Sequence, residues 1–322
     1  MAAFDLPLDR LERYVPDLVE PDDFDAFWAK TLDAAAGPVV LDVRPEPNEL
    51  ALFDCWDVTF GGFDGQPVRA WYTRPAARSD ALPAVVEFAG YGRGRGLPHE
   101  RLTWPAAGYA HLLMDNRGQG DLYGCGGDTP DPVSGTAMGG PGVVTRGIRS
   151  PHDYYYRRLI TDAVRAVLAL RELPGADPAR IAVIGNSQGG GLALAVAGLL
   201  PDLAAVLVSA PFLCHIRRAV DLTDLAPYGE IATYLSVHRD AEPEVWNTLS
   251  YMDAVHFARR ATAPAHFGIG LRDTVCPPST GFAAYNSYAP ADKIMHTYPY
   301  NGHEHGDAVH VRRQLRWLAP RH

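Results

Sequence analysis

The sequence predicts an α/β fold: a mostly parallel sheet covered by helices on both faces. Three observations carry this. Short runs rich in apolar residues, at 84–88, 110–114, 181–184, 204–209 and 265–271, alternate with stretches of helical spacing or composition, the rhythm of strand–helix–strand crossovers. These runs are largely apolar throughout rather than alternating, as strands buried on both faces are. With 322 residues, 47% of them hydrophobic, the chain can bury a large core.

Taken in order, residues 22–35 place Phe24, Phe27, Trp28 and Leu32 at helical spacing. Asp22 and Asp23 lead that segment, where acidic side chains suit the positive end of the dipole. Alternating runs at 52–60 and 68–72, joined through Asp64-Gly65, predict a hairpin. The strand at 84–88 runs into Gly90-Tyr91-Gly92-Arg93-Gly94, and that at 110–114 into Asp115-Asn116-Arg117-Gly118-Gln119-Gly120. Glycine and proline are dense and periodicity is lacking between 124 and 151, which predicts a long ordered loop. A helix is expected over 153–173, with Leu159, Ile160, Ala163, Val164, Val167, Leu168 and Leu170 on or near one face. A strand, a glycine-rich turn at 185–189, a helix over 191–200 and a strand at 204–209 follow. Residues 212–262 break the rhythm with short helical pieces and with Pro227 and Pro243, and read as a lid-like insertion. A strand at 265–271, a helix near 280–288, a strand at 293–298 and a helix over 307–318 complete the series. No repeat, low-complexity tract or linker interrupts it, so residues 1–322 read as a single domain, with an N-terminal helix and hairpin in 1–80.

A net charge of −9 without a basic run argues against a nucleic-acid partner. The start of the chain lacks the basic and apolar segments of a signal peptide, and no run of about 18 apolar residues exists to span a bilayer. A cytoplasmic protein with no membrane partner is the expectation. Cys55, Cys125, Cys214 and Cys276 are too scattered for a disulfide framework or a C-x-x-C metal site, and are expected to be buried free thiols.

The chemistry gathers at Gly185-Asn186-Ser187-Gln188-Gly189. A β-branched run precedes it and an Ala/Leu-rich segment follows, the strand–turn–helix setting of a G-x-S-x-G nucleophile elbow. Glycine tolerates the dihedrals of so tight a turn and leaves room for neighbouring backbone. A serine nucleophile needs a base, and the base needs an anion to orient it. In an α/β-hydrolase these follow in the order acid, then histidine. Asp273 follows the strand at 265–271 and His303 the strand at 293–298, so both fall at strand exits. His305 is the alternative base; Asp307 and Glu304 are alternative acids, whereas Asp292 precedes its strand and lies at the wrong edge. The remaining histidines fit no H-E-x-x-H spacing, and no metal or cofactor is called for.

A tetrahedral intermediate needs preorganised N–H donors. Gln188, after the nucleophile, supplies one candidate, and Tyr91 in the glycine loop the other. Arg117 is expected to pair with a buried carboxylate, and with Gln119 to support the loops.

With Arg117-Gly118-Gln119-Gly120, Gly185-Asn186-Ser187-Gln188-Gly189 and His303-Glu304 in hand, the chain closely resembles the acetyl xylan esterase/cephalosporin-C deacetylase family (carbohydrate esterase family 7). Phe4-Asp5-Leu6-Pro7, Asp153-Tyr154-Tyr155-Tyr156-Arg157-Arg158, Pro211-Phe212-Leu213-Cys214-His215, Cys276-Pro277-Pro278-Ser279-Thr280 and Tyr298-Pro299-Tyr300-Asn301 look like family segments in the expected order. The resemblance implies an α/β-hydrolase fold and a serine esterase that removes acetyl groups from small acetylated sugars, xylo-oligosaccharides and cephalosporin C. It implies Ser187, Asp273 and His303 as catalytic residues and Tyr91 and Gln188 as oxyanion donors. Phe212, Pro227 and Val275 would line the acyl pocket, in a hexamer. Ala89, where members often carry His, and Asn186, where glycine is more common, depart from the pattern.

Overall fold

The computed structural model describes residues 4–76, 78–132 and 142–321. After the short α1 (Leu8–Leu11) and α2 (Phe24–Ala34), the strands β1 (Val40–Pro45), β2 (Phe53–Gly61) and β3 (Pro67–Pro75) form an antiparallel meander. The turn between β2 and β3 holds Asp64 at φ 54° and Gly65 at φ 67°, the left-handed values that Asp-Gly adopts readily. Then come β4 (Leu82–Phe88), α3 (Thr103–Ala106), β5 (Ala110–Met114), α4 (Tyr155–Glu172), β6 (Ala176–Asn186), α5 (Gln188–Leu199) and β7 (Ala205–Ser209). Four helices separate β7 from β8 (Ala265–Gly270): α6 (Ile216–Leu222), α7 (Tyr228–Val237), α8 (Glu242–Ser250) and α9 (Ala254–Ala258). The chain closes with α10 (Pro278–Ser287), β9 (Lys293–Tyr298) and α11 (Asp307–Leu318).

The sheet order is β1-β2-β3-β5-β4-β6-β7-β8-β9. β3 meets β5 antiparallel, and from β5 to β9 every pairing is parallel. Side chains of alternate residues fill two cores. Ala84, Val86, Phe88, Ile181 and Val183 face α4 and α5, packing with Leu159, Ala163, Leu192 and Val196. Val85, Ala182, Ile184 and Leu207 face the other way, toward Trp104 of α3 and Leu318 of α11. Helices therefore cover both faces, as the continuous apolar runs require.

Four elements differ from expectation, the first being α1, whose four residues leave no period. β1 is an edge strand and mostly exposed, so it carries no buried run to announce it. α3, at four residues, is too short to leave a period. α5 starts at Gln188, not 191, because Gly189, Gly190 and Gly191 all lie within the helix. Their absent side chains are needed there: a Cβ at Gly191 would stand 2.4 Å from the Phe212 carbonyl oxygen. The loop expected over 124–151 contains neither helix nor longer strand among its described residues, and 133–141 lie outside them. Cys55, Cys214 and Cys276 are buried free thiols, but Cys125, in that loop, is exposed. Among the described residues no helix is long and apolar enough to cross a membrane.

A close approach of backbone to backbone lies where α5 begins. A Cβ on Gly189 would stand 2.0 Å from the Phe88 carbonyl oxygen, rigid backbone that cannot yield. Gly189→Ala is expected to lower the unfolding free energy by about 3 kcal/mol or more. Urea denaturation measures this, and an unchanged midpoint would contradict the close approach.

Candidate active site

The site grows from the turn between β6 and α5. Ser187 is held at φ 57°, ψ −121°, a region L-residues rarely enter without surrounding constraint. The constraint is visible. A Cβ at Gly185 would lie 2.0 Å from the carbonyl carbon and oxygen of Gly189, so the chain doubles back on itself with no side chain between. Ser187 N–H donates to the Ser209 carbonyl at 3.0 Å, and the Ser187 carbonyl accepts from Gly191 and Phe212 at 3.1 and 2.9 Å. The hydroxyl is thus fixed at the carboxyl edge of the parallel strands, above the N-terminus of α5.

β8 and β9 lie side by side with Gly270 paired to Tyr298, so the turns leaving them are neighbours. Asp273, fully buried, accepts at one oxygen from the backbone N–H groups of Val275 and Cys276 at 2.8 and 2.9 Å. Its second oxygen lies 2.8 Å from His303 Nδ1. A carboxylate there accepts the Nδ1 proton and leaves Nε2 as the ring's free nitrogen. Ser187 and His303 line one cleft of about 310 Å³, together with Tyr91, Asn186, Pro227 and Val275.

The alternatives go elsewhere. His305 lines a separate hollow beside Asp307 and Gln314, and burial takes its pKa down to about 4. Glu304 folds back onto the Gly302 N–H at 3.0 Å and the Asn301 amide at 2.9 Å. Asp292, before β9, pairs with Arg321 at 3.2 Å.

The glycine loop after β4 is tied down from one neighbouring turn. Asn116 Nδ2 donates to the carbonyls of Ala89, Gly90 and Arg93 at 3.3, 3.3 and 2.9 Å. Gln119 Oε1 accepts from Gly92 N–H at 2.6 Å, and its Nε2 donates to Tyr155 Oη at 2.8 Å and Gln188 Oε1 at 3.0 Å. Among the described residues the Tyr91 amide N–H has no internal partner. Gln188 opens α5, where the first N–H groups lack an intrahelical acceptor. Two free amides thus flank the Ser187 turn.

The acetyl xylan esterase family profile matches residues 1–321 of this chain. The chain belongs to the acetyl xylan esterase family. It is 38% identical to the acetyl xylan esterase of Paenibacillus sp. R4, covering 98% of this chain and 99% of that one, with a TM-score of 0.90. Acetyl xylan esterase 1 of Thermoanaerobacterium sp. JW/SL YS485 is 31% identical over 99% of this chain and all of its own (100%), TM-score 0.88. Acetyl esterase Axe7A of Xylanibacter ruminicola is 29% identical over 296 residues, 89% of this chain; the match spans 64% of that relative's length. An acylaminoacyl peptidase of Pyrococcus horikoshii, 17% identical with a TM-score of 0.59, shares the fold. The fold is that of the α/β-hydrolases.

Several features of this esterase-family site were not legible beforehand. Phe212, expected in the cleft, is fully buried behind it, with ring centroids 4.5 Å from Tyr228, 5.9 Å from Tyr156 and 6.4 Å from Tyr91. Burial pushes the Cys276 thiol well above its ordinary range, Asp273 adds to this, and a hydrogen bond with the Ser187 hydroxyl opposes it. It stays a neutral thiol beside the serine. Glu230, on α7, accepts from the Tyr91 hydroxyl at 3.0 Å, and burial raises its pKa to about 7. Tyr91 is 139 residues away in sequence, so no local pattern marks the pair. Ala89 serves through its carbonyl, which any residue supplies, and Asn186 is exposed on the cleft wall.

Arg117 does what its motif suggested. Fully buried, it forks onto Asp162 with Nε–Oδ2 at 2.5 Å and Nη2–Oδ1 at 2.8 Å, and donates to Gln66 Oε1 at 2.7 Å. Its carbonyl accepts from Tyr155 Oη at 2.6 Å. The pair joins the 115–120 turn to α4. Removing one partner strands a buried charge, so Arg117→Ala is expected to cost about 3–5 kcal/mol. Chemical denaturation reads this out, and a loss below 1 kcal/mol on the order of an exposed pair would contradict it.

Proposed function

We propose that the protein is a serine carboxylesterase that removes acetyl groups from small acetylated carbohydrates such as xylo-oligosaccharides, and from cephalosporin C, through an acetyl-enzyme intermediate. The observation that carries the reading is the meeting of residues 187, 273 and 303: His303 is bonded to buried Asp273 and shares one cleft with Ser187. Family membership supplies the acyl group.

In this mechanism Ser187 Oγ attacks the acetyl carbonyl carbon while His303 Nε2 takes its proton. Charge moves onto the carbonyl oxygen, which the Tyr91 and Gln188 amides receive; each such donor is worth about 2.7–4 kcal/mol. The C–O bond to the sugar then breaks, and the departing alkoxide takes the proton from His303. Water attacks the acetyl-serine, giving its proton to His303, and acetate leaves as Ser187 recovers a proton. Asp273 holds the ring in the productive tautomer and stabilises the imidazolium. Tyr91, Pro227 and Val275 bound the cleft, and in a narrow apolar pocket each methylene is worth about 1–3 kcal/mol, which favours acetyl over longer acyl groups. The reading includes assembly as a hexamer, on family resemblance; light scattering at the mass of one chain would overturn that part.

Ser187→Ala is expected to abolish hydrolysis of p-nitrophenyl acetate, and Asp273→Asn to lower kcat by about 10⁴-fold with the fold intact. Parent-rate hydrolysis by Ser187→Ala would sink the mechanism. A panel of acyl lengths and leaving groups sets the substrate class: peptide-bond cleavage exceeding acetyl release from xylo-oligosaccharides would overturn it.

A further inference from the structure

We propose that Glu230 is a positioning and specificity-determining residue: by accepting the Tyr91 hydroxyl it clamps together the two walls of the acyl pocket. The proposal rests on the esterase reading above.

Tyr91 leaves β4 and forms one wall of the cleft, while Pro227, the residue before α7, belongs to the other. Glu230 lies in the first turn of α7, and both its oxygens are within 3.1 Å of Tyr91 Oη. The direction of that bond is fixed. Tyr91 Oη accepts from the backbone N–H groups of Val143 and Val144 at 2.9 and 3.3 Å, which uses both lone pairs and leaves its single proton for the carboxylate. The corner is closed: a Cβ at Gly142 would stand 2.3 Å from both Tyr91 Oη and Glu230 Oε2. One side chain thereby ties the oxyanion loop, the 142–144 backbone and α7.

No cation shares this carboxylate among the described residues, where Glu230 forms no ion pair. From α4 and its entry, Tyr154 and Tyr156 face it, with hydroxyls committed to the Val144 carbonyl and Gln188 Oε1. Arg146 lines the adjoining hollow with Tyr91, yet its guanidinium lies beside Gly118. On α7 itself stand Tyr228 and Tyr234, and Arg149, near Tyr234, is paired to Glu244. A glutamine would satisfy the same hydrogen bond. What the acid adds is charge, which roughly doubles the strength of the bond it accepts. Because burial raises the Glu230 pKa to about 7, the clamp passes from a neutral to a charge-assisted bond as pH rises through neutrality.

The readout is the ratio of kcat/KM for p-nitrophenyl acetate to that for p-nitrophenyl butyrate, from mildly acid to mildly alkaline pH. Titration of the base affects both esters alike and cancels. In the parent the ratio is expected to rise as pH passes about 7. In Glu230→Gln it should be flat and about tenfold lower than the parent's alkaline value, within the discrimination a few methylenes allow. Stability gives a second sign. The folded state holds the Glu230 proton that the unfolded chain releases at its ordinary value of 4.5, so the parent carries a loss of stability between there and about 7 that Glu230→Gln lacks. A parent ratio independent of pH overturns the proposal with no variant needed, as does a Glu230→Gln enzyme with the parent's ratio and profile. Fluorophosphonate labelling of Ser187 separates the two readings. An unlabelled parent defeats the esterase mechanism, whereas a labelled parent with a flat ratio defeats the Glu230 clamp alone.

Discussion

Backbone pressed against backbone, with no side chain between, is the constraint from which the rest of this structure follows. Gly185 meets Gly189, and Gly189 meets Phe88, at distances that a single β-carbon would violate. That contact lets β6 reverse directly into α5, forces Ser187 to positive φ, and brings the start of the helix against the end of β4. The glycine loop leaving β4 is therefore beside the serine. Strain at one residue is offset by the Ser209, Gly191 and Phe212 hydrogen bonds that over-determine its backbone.

Around that turn, residues 115–119 divide the work of fixing loops. Asp115 accepts from Arg95 and Asp128 N–H groups at 2.7 Å each, Asn116 gathers three carbonyls of the loop after β4, Arg117 anchors to α4, and Gln119 bridges Gly92 and Gln188. The consecutive tyrosines 154–156 answer from the helix side, each wholly buried and each hydroxyl bonded to a different partner. Polar groups so deep are tolerated because their bonds are made, and together they hold the site with little help from exposed ion pairs.

Much of this was legible because it is local. The alternation of apolar runs with helical segments gives the parallel strands, and the glycines around Ser187 announce their own purpose. Asp273 and His303 were found by where they fall, just past strand ends. The unread parts share a physical cause. β1 is exposed at the sheet edge, so burial left no trace on its composition. Phe212 carries the chemistry of a pocket wall, but whether an aromatic ring faces a cavity or a core depends on neighbours such as Tyr228, contributed by α7. Glu230 lies on a helix with no motif, and its meaning arises only when Tyr91 arrives from another part of the chain. Cys276 follows Asp273 by three residues, yet nothing local shows that its sulfur reaches the serine.

One wall of the cleft, Pro227, stands on a different support from the reactive groups. The serine, acid and imidazole sit just past the ends of β6, β8 and β9 of one sheet, whose hydrogen-bonded spacing sets how far apart those ends lie. Pro227 immediately precedes α7, outside the sheet, in the stretch between β7 and β8. A substitution at Pro227 can therefore reshape what enters while the ends of the strands that carry the bond-breaking groups keep their alignment.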